Sequence, residues 1–171
     1  MSCMNDGKYE LINSKYACNC SPNYYGNKCE YKRLNSSAFI NSSILTNELG
    51  IKLLDLINYP SNLNLSLIYQ ASRDGFKAKD FHLKCDGYLN TLTVIKASNG
   101  NIFGGFTTVD WGTPQSNNYY YYSSYFKSDS NAFLFSLVNK YNISLLINNS
   151  DPTNAVYAHY DSGPRYLIRK Y

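Results

Sequence analysis

Four of the five cysteines fall within the first 29 residues, at Cys3, Cys18, Cys20 and Cys29, and the fifth stands apart at Cys85. A segment of about 30 residues cannot bury enough apolar surface to fold unaided. It must staple itself with disulfides, close around a metal, or carry unpaired thiols. Zinc sites usually place paired ligands two to four residues apart, so that both thiolates reach one tetrahedral ion. Cys18-Asn19-Cys20 instead sends successive side chains to opposite faces of an extended strand. That spacing suits two separate bridges better than one ion. Gly26 follows Tyr24-Tyr25 and precedes Cys29 by three residues, which supplies the turn of a tight hairpin. Disulfides persist in the secretory pathway and outside the cell, so the state of these thiols decides the compartment.

Laid out in this way, residues 1–30 resemble the back half of an EGF-like domain. The Cys-x-Cys, the aromatic followed by Gly26 and the closing Cys29-Glu30 all sit at that family's spacing. Cys3-Met-Asn-Asp-Gly7 resembles the family's second cysteine and the Asn-Gly-Gly after it. The family's six cysteines pair first to third, second to fourth and fifth to sixth. Tyr9 stands where the third would be, and the first would precede Met1. Those two are each other's partners, so the resemblance implies Cys3–Cys18 and Cys20–Cys29. Each bridge would close a loop worth on the order of 3 kcal/mol. The calcium-binding subtype carries acidic residues ahead of its first cysteine, a region without a counterpart here, and no calcium is expected.

Net charge is +4 with only 16% charged residues, too dilute for a nucleic-acid reader. The basic residues gather only at Tyr31-Lys32-Arg33 and from Arg165 to Lys170, which read as a linker and a solvated tail. No apolar run approaches the roughly 20 residues of a transmembrane helix. Met1 to Met4 has neither the basic start nor the apolar run of a signal peptide. Set against the cysteines, that leads to the expectation of a fragment lacking its true start. Asn35, Asn41, Asn64, Asn142 and Asn148 each begin an Asn-x-Ser sequon, a set that permits an extracellular chain without requiring one.

Residues 31–43 are broken by Asn and Ser, as a linker would be. Thr46-Asn47-Glu48 ahead of Leu49, Leu53, Leu54, Leu56 and Ile57 predicts a helix of about three turns, ended by Tyr59-Pro60. A second helix is expected over Phe76 to Cys85, closed by Asp86-Gly87. Thereafter the period changes to two. Thr91 to Ser98 and Asn101 to Val109 flank Asn99-Gly100, the signal of a hairpin with a type I′ turn. Gly104-Gly105 inside the second strand points to a bulge or a close backbone approach. Asp110 to Asn131 reads as a long Tyr-rich loop. Strands are expected at Ala132 to Val138, Ser144 to Ile147 and Ala155 to His159. Helices first and antiparallel strands after give an α+β fold class.

Residues 43–166 resemble the TLDc domain. The resemblance is carried by Ala71-Ser-Arg-Asp-Gly-Phe76, Phe81-His-x-Lys-Cys85-Asp-Gly87, Thr91-Leu-Thr-Val-Ile-Lys96 and Gly104-Gly105-Phe106. Trp111, Asp129-x-Asn-Ala-Phe-Leu-Phe135-Ser-Leu137 and Asn154-Ala-Val-Tyr157 continue it in order. The resemblance implies a two-sheet β-sandwich with flanking helices over residues 44–171. The family runs on past the Ser162-Gly163-Pro164 position through further strands, so the expectation is an incomplete sandwich with an open sheet edge.

Asp74, Asp80, His82, Cys85 and Asp86 lie near one another in sequence, and His82 and Cys85 could share a helical face. A thiol enzyme would need them in contact with a third group orienting the His. The simpler reading makes Cys85 a small buried hydrophobe and His82 a hydrogen-bonder, with His159 isolated. No nucleophile elbow, phosphate loop or zinc helix is present. The TLDc resemblance implies a non-enzymatic interaction module with no cofactor or metal. Its intracellular members are linked to oxidative-stress resistance and to the vacuolar proton-pumping ATPase. Tyr119, Tyr120, Tyr121, Tyr122 and Tyr125 offer amphipathic contact area for a protein or glycan ligand, or form a low-complexity loop. The leading expectation is an extracellular or luminal binding protein. The competitors are the intracellular stress protein and an unrecognised thiol-dependent enzyme.

Overall fold

A computed structural model of the chain describes residues 2–12, 15–21, 24–25, 27–29, 31–32, 39, 41–58, 65–113 and 125–168. They form two compact units, 1–65 and 66–171. Helices and mostly antiparallel sheets give an α+β fold.

In the first unit, β1 (Lys8–Ile12) pairs antiparallel with β2 (Lys15–Asn19), from Lys8 opposite Asn19 to Ile12 opposite Lys15. Every residue of β1 is exposed, so this hairpin has no buried face to hold its register. Covalent bonds flank it instead: Cys3 is bridged to Cys18 and Cys20 to Cys29. A second pairing joins β3 (Tyr24–Tyr25) to β4 (Tyr31–Lys32). Asn5 and Asp6 both take left-handed backbone, φ 50° and 59°, which Asn and Asp tolerate best among residues with a side chain. Their turn lets Met4 N–H donate to the Lys28 carbonyl at 2.7 Å and Asn5 Nδ2 to the Cys29 carbonyl at 2.8 Å. Gly7 lies where a Cβ would press on the Cys29 sulfur.

The same unit contains α1 (Asn47–Leu56), and Thr46 caps it, its Oγ1 accepting from Leu49 N–H at 3.3 Å. Gly50, Leu53 and Leu54 are its buried residues. Gly50 is required by the Phe39 ring, which lies where a Cβ would go.

In the second unit, α2 (Ala71–Asp74) is a single turn ended by Gly75 at φ 114°. Sequence alone makes this stretch only a break before a longer helix. The glycine separates it from α3 (Ala78–Cys85). The larger sheet runs β5-β6-β8-β9, with β5 at Thr91–Lys96, β6 at Ile102–Thr107, β8 at Phe133–Val138 and β9 at Leu145–Asn148. The smaller sheet runs β11-β10-β7, from Arg165–Tyr166, Val156–Ala158 and Tyr125–Lys127. β7 lies inside the segment expected to be all loop.

The β5–β6 hairpin differs from expectation in its turn. A type I′ turn needs positive φ at both Asn99 and Gly100, whereas only Gly100 has it, at 84°. Ala97 N–H donates to the Asn101 carbonyl at 2.9 Å and Gly100 N–H to the Ala97 carbonyl at 3.0 Å. The loop is therefore three residues, Ser98-Asn99-Gly100, with the left-handed residue last. Gly104 and Gly105 serve close approach. A Cβ on Gly104 would collide with the Thr93 carbonyl, and one on Gly105 would meet the Tyr166 ring.

The core gathers Phe81, Cys85, Trp111, Ala132, Ala155 and Val156, with Tyr69 and Tyr166 against it. Trp111 presents edges to Phe81 and Tyr166 at centroid distances of 5.7 and 5.2 Å. Its Nε1 donates to Thr91 Oγ1 at 2.9 Å. Tyr166 Oη meets Thr93 Oγ1 at 3.1 Å and donates to the Gly105 carbonyl at 2.9 Å. These bonds fasten the small sheet to the large one, and burial pushes the Tyr166 hydroxyl pKa far up.

Candidate functional site

The acidic and thiol residues singled out in the sequence do come together around α2 and α3, but as a structural corner. Arg73 grips Asp74 through Nε at 2.9 Å and Nη2 at 2.7 Å. Gln70 N–H adds a third donor at 2.8 Å. The arginine first and the Gln70 amide second hold the Asp74 pKa down to about 2. Asp80 accepts from Lys77 N–H at 3.1 Å at the start of α3, and Tyr69 Oη donates to the Gly75 carbonyl at 2.7 Å. Asp74 thus closes α2 on itself, Asp80 caps α3, and Tyr69 holds the Gly75 carbonyl between the two helices.

Cys85 is a free, buried thiol. Burial, reinforced by the Asp86 and Asp74 carboxylates, pushes its pKa up to about 11. It stays protonated at neutral pH, the opposite of what a nucleophile requires.

His82 binds three oxygens. Nδ1 meets Asp86 Oδ1 at 2.7 Å, one turn along, while Nε2 meets the carbonyls of His159 and Ser162 at 3.0 and 2.9 Å. Two carbonyls can only accept, so Nε2 carries a proton. The ring thus pins the 159–162 turn to α3. His159 enters through its backbone, and its own ring stacks between Tyr157 and Tyr160 at centroid distances of 6.1 and 4.7 Å.

Sequence reasoning did not find the role of Asp129, which is 4% exposed. Its carboxylate accepts from Thr107 Oγ1 at 2.6 Å, Thr108 N–H at 2.7 Å, Thr108 Oγ1 at 2.8 Å and Asn131 N–H at 3.0 Å. Burial works to raise its pKa, and these donors outweigh burial and hold it low. Adjacent threonines at the end of a strand are the signal that could have pointed to a buried acceptor. Nearby, Lys127 Nζ gathers the Asp110 carbonyl, the Asp110 carboxylate and the Gly112 carbonyl at 2.8, 2.5 and 2.6 Å.

An open depression of about 400 Å³ is lined by Phe126, Asp151, Asn154, Tyr166, Leu167 and Ile168. It lacks the convergent polar groups that fix a small ligand. Among the described residues no group of three His, Cys, Asp or Glu is placed to hold a metal, and no helix is long and apolar enough to cross a membrane.

Exposed apolar side chains are more informative. Phe76 and Leu83 are each 83% exposed. Leu83 lies on the side of α3 opposite the buried Phe81 and Cys85, flanked by the exposed Lys79 and Lys84. Of the tyrosines proposed as a surface, Tyr119 to Tyr122 lie outside the described residues, while Tyr125 is exposed on β7 beside Phe126. Among the sequons, Asn41, Asn142 and Asn148 are exposed, and Asn35 and Asn64 lie outside the described residues.

Comparison with curated proteins and with solved structures gave no significant match. The sequence profile of the TLDc domain matches residues 39–166, about three quarters of the chain. That span takes in the α2–α3 corner, the Asp129 network and both sheets of the second unit. The two bridges ahead of it are consistent with an EGF-like segment. This chain belongs to the TLDc domain family.

Proposed function

We propose that this protein is a non-enzymatic interaction module that works outside the cytosol, with an EGF-like segment leading into its TLDc domain. The observation that carries the reading is the pair of bridges in a unit whose first hairpin strand is wholly exposed. A hairpin of that kind, isolated and without an apolar face, is marginal in water, so its order rests on oxidised sulfur. An oxidising compartment supplies that state.

The absence of catalysis is supported by what the reactive groups are already doing. Cys85 is buried with its thiol pKa pushed up to about 11, and His82 has both ring nitrogens engaged with oxygens. The exposed Phe76, and the exposed Leu83 with Lys79 and Lys84 beside it on α3, suit a protein or glycan partner better than a substrate. Aromatic and aliphatic anchors ringed by polar side chains are the usual composition of a docking patch.

Peptide mapping of natively sourced protein, with and without reductant, tests the reading. The expected result is Cys3–Cys18 and Cys20–Cys29 bridged and Cys85 alkylated only after denaturation. Four free N-terminal thiols would overturn it in favour of the intracellular alternative, a TLDc stress-resistance protein acting at the proton-pumping ATPase. Rapid alkylation of Cys85 in the folded chain would reopen the thiol-enzyme reading.

A further inference from the structure

We propose that Asn142 and Asn148 carry N-linked glycans that cap the free edge of the four-stranded sheet. This rests on the extracytosolic reading above and names a modification that completes the same domain.

β9 is the outer strand of the order β5-β6-β8-β9, so one side of its backbone has no partner strand among the described residues. Such an edge is a template for pairing with another chain, and proteins usually blunt it with a charge, a proline or a covering element. The run Tyr141 to Ser150 contains no charged residue and no proline. Its apolar side chains are open to water: Tyr141 is 69% exposed, Ile143 57%, Leu145 49% and Leu146 38%. The edge strand proper, Leu145–Asn148, is uncharged and β-prone, with Lys140 and Asp151-Pro152 standing only beyond the run, and an edge of that kind invites pairing with another chain. At the other edge of the sheet, β5 ends on the exposed Lys96, one of the usual safeguards.

What the β9 edge has in place of charge is two acceptor asparagines. Asn142-Ile-Ser144 sits in the turn that leads into the strand, and Asn148-Asn-Ser150 ends it. Asn142 is exposed at φ 54°, its N–H donating to the Asn139 carbonyl at 3.1 Å. Asn148 is exposed opposite Phe133. β9 is four residues long, with Asn142 in the turn before it and Asn148 as its last residue, so a glycan at each asparagine would bracket the strand. An N-glycan is bulky and strongly solvated, and two of them would deny a second strand the approach it needs.

The test uses the full chain secreted from eukaryotic cells behind a cleavable leader. Asparagine occupancy and cysteine pairing are mapped on the same sample, and sedimentation velocity is run before and after endoglycosidase trimming of the folded protein. The expected result is glycan at both asparagines, a monomer before trimming and self-association after it. The Asn142→Gln/Asn148→Gln double variant should self-associate in the same way. Trimming the folded wild type removes any doubt that the variant simply misfolds. Bridged cysteines with either asparagine bare would overturn this inference and leave the extracytosolic reading standing. A trimmed protein that remains monomeric at the same concentrations would also overturn it. Occupied asparagines with reduced cysteines would instead count against the disulfide reading alone.

Discussion

The two units of the chain solve the stability problem by different means. In the first, β1 is exposed along its whole length, and two disulfides constrain the loops that local packing cannot. In the second, β8 buries alternate residues, Phe135 and Leu137, and Trp111 and Val156 are almost wholly removed from water. Covalent constraint acts largely by narrowing the unfolded ensemble, whereas a core acts by removing apolar surface from water. The N-terminal hairpin is therefore sensitive to redox conditions and the second unit to the fit of its side chains.

The sharpest way to separate them is reduction. The bridges close sequence separations of 15 and 9 residues, and loop entropy assigns each about 3 kcal/mol. Reductant should therefore abolish amide protection across β1 and β2 while leaving β6 and β8 unchanged by hydrogen exchange. Loss of protection in both sheets would break the comparison. The reciprocal experiment is Trp111→Ala, expected to cost the second unit about 3–5 kcal/mol by cavity formation. Chemical denaturation followed by circular dichroism would read that loss, and mass mapping would show the bridges still formed.

Acid should act on the second unit through Asp129, whose folded pKa is lowered by its four donors. A depressed carboxylate contributes stability above its unfolded pKa of about 4 and loses it as pH falls through the folded value. The melting temperature of the second unit should fall below about pH 4, and Asp129→Asn should flatten that limb while costing about 1–3 kcal/mol at neutral pH. Tyr166→Phe removes one hydroxyl from between the sheets and should cost about 1 kcal/mol. The smallest effect belongs to Leu83→Ser on the exposed face of α3, within about 0.5 kcal/mol. Differential scanning calorimetry should show that variant melting like the wild type.

How much of this was legible in sequence follows from where the information resides. α1 announced itself because Thr46 and the leucines after it are local signals, and the structure uses Thr46 as the cap. The strands around Asn99-Gly100 were legible by their alternation. Their turn was misread because loop length is set by the closing pair, Ala97 and Asn101, and not by the dipeptide. β7 was hidden in a Tyr- and Ser-rich stretch with no alternation to reveal it, since its partner β10 lies some 30 residues on. β1 and β2 escaped for a related reason: a strand exposed on both faces has no period.

The site residues divide in the same way. Gly104 was flagged correctly as a close approach, because a glycine inside a strand is itself an anomaly. The meeting of His82 with the 159–162 turn, across 77 residues of chain, had no local trace. Asp129 was visible as part of a family pattern, but its four donors come from Thr107 at the end of β6, from Thr108 twice and from Asn131. Only the fold brings those together.

The three-residue turn between β5 and β6 also has a bearing on chemical ageing. Asn-Gly is especially prone to deamidate: the following nitrogen attacks the asparagine side chain to form a succinimide, and glycine, without a Cβ, hinders that closure least. Here Gly100 N–H is donated to the Ala97 carbonyl, and Asn99 Oδ1 accepts from Asn101 N–H at 3.1 Å. Holding the Gly100 N–H opposes the deprotonation that attack requires, and the Asn99 side chain is fixed by its own bond. The folded hairpin therefore protects a sequence that the unfolded chain would not. Isoaspartate at position 99 should accumulate slowly in native protein and quickly after denaturation, which makes this one residue a chemical record of how long a molecule has spent unfolded.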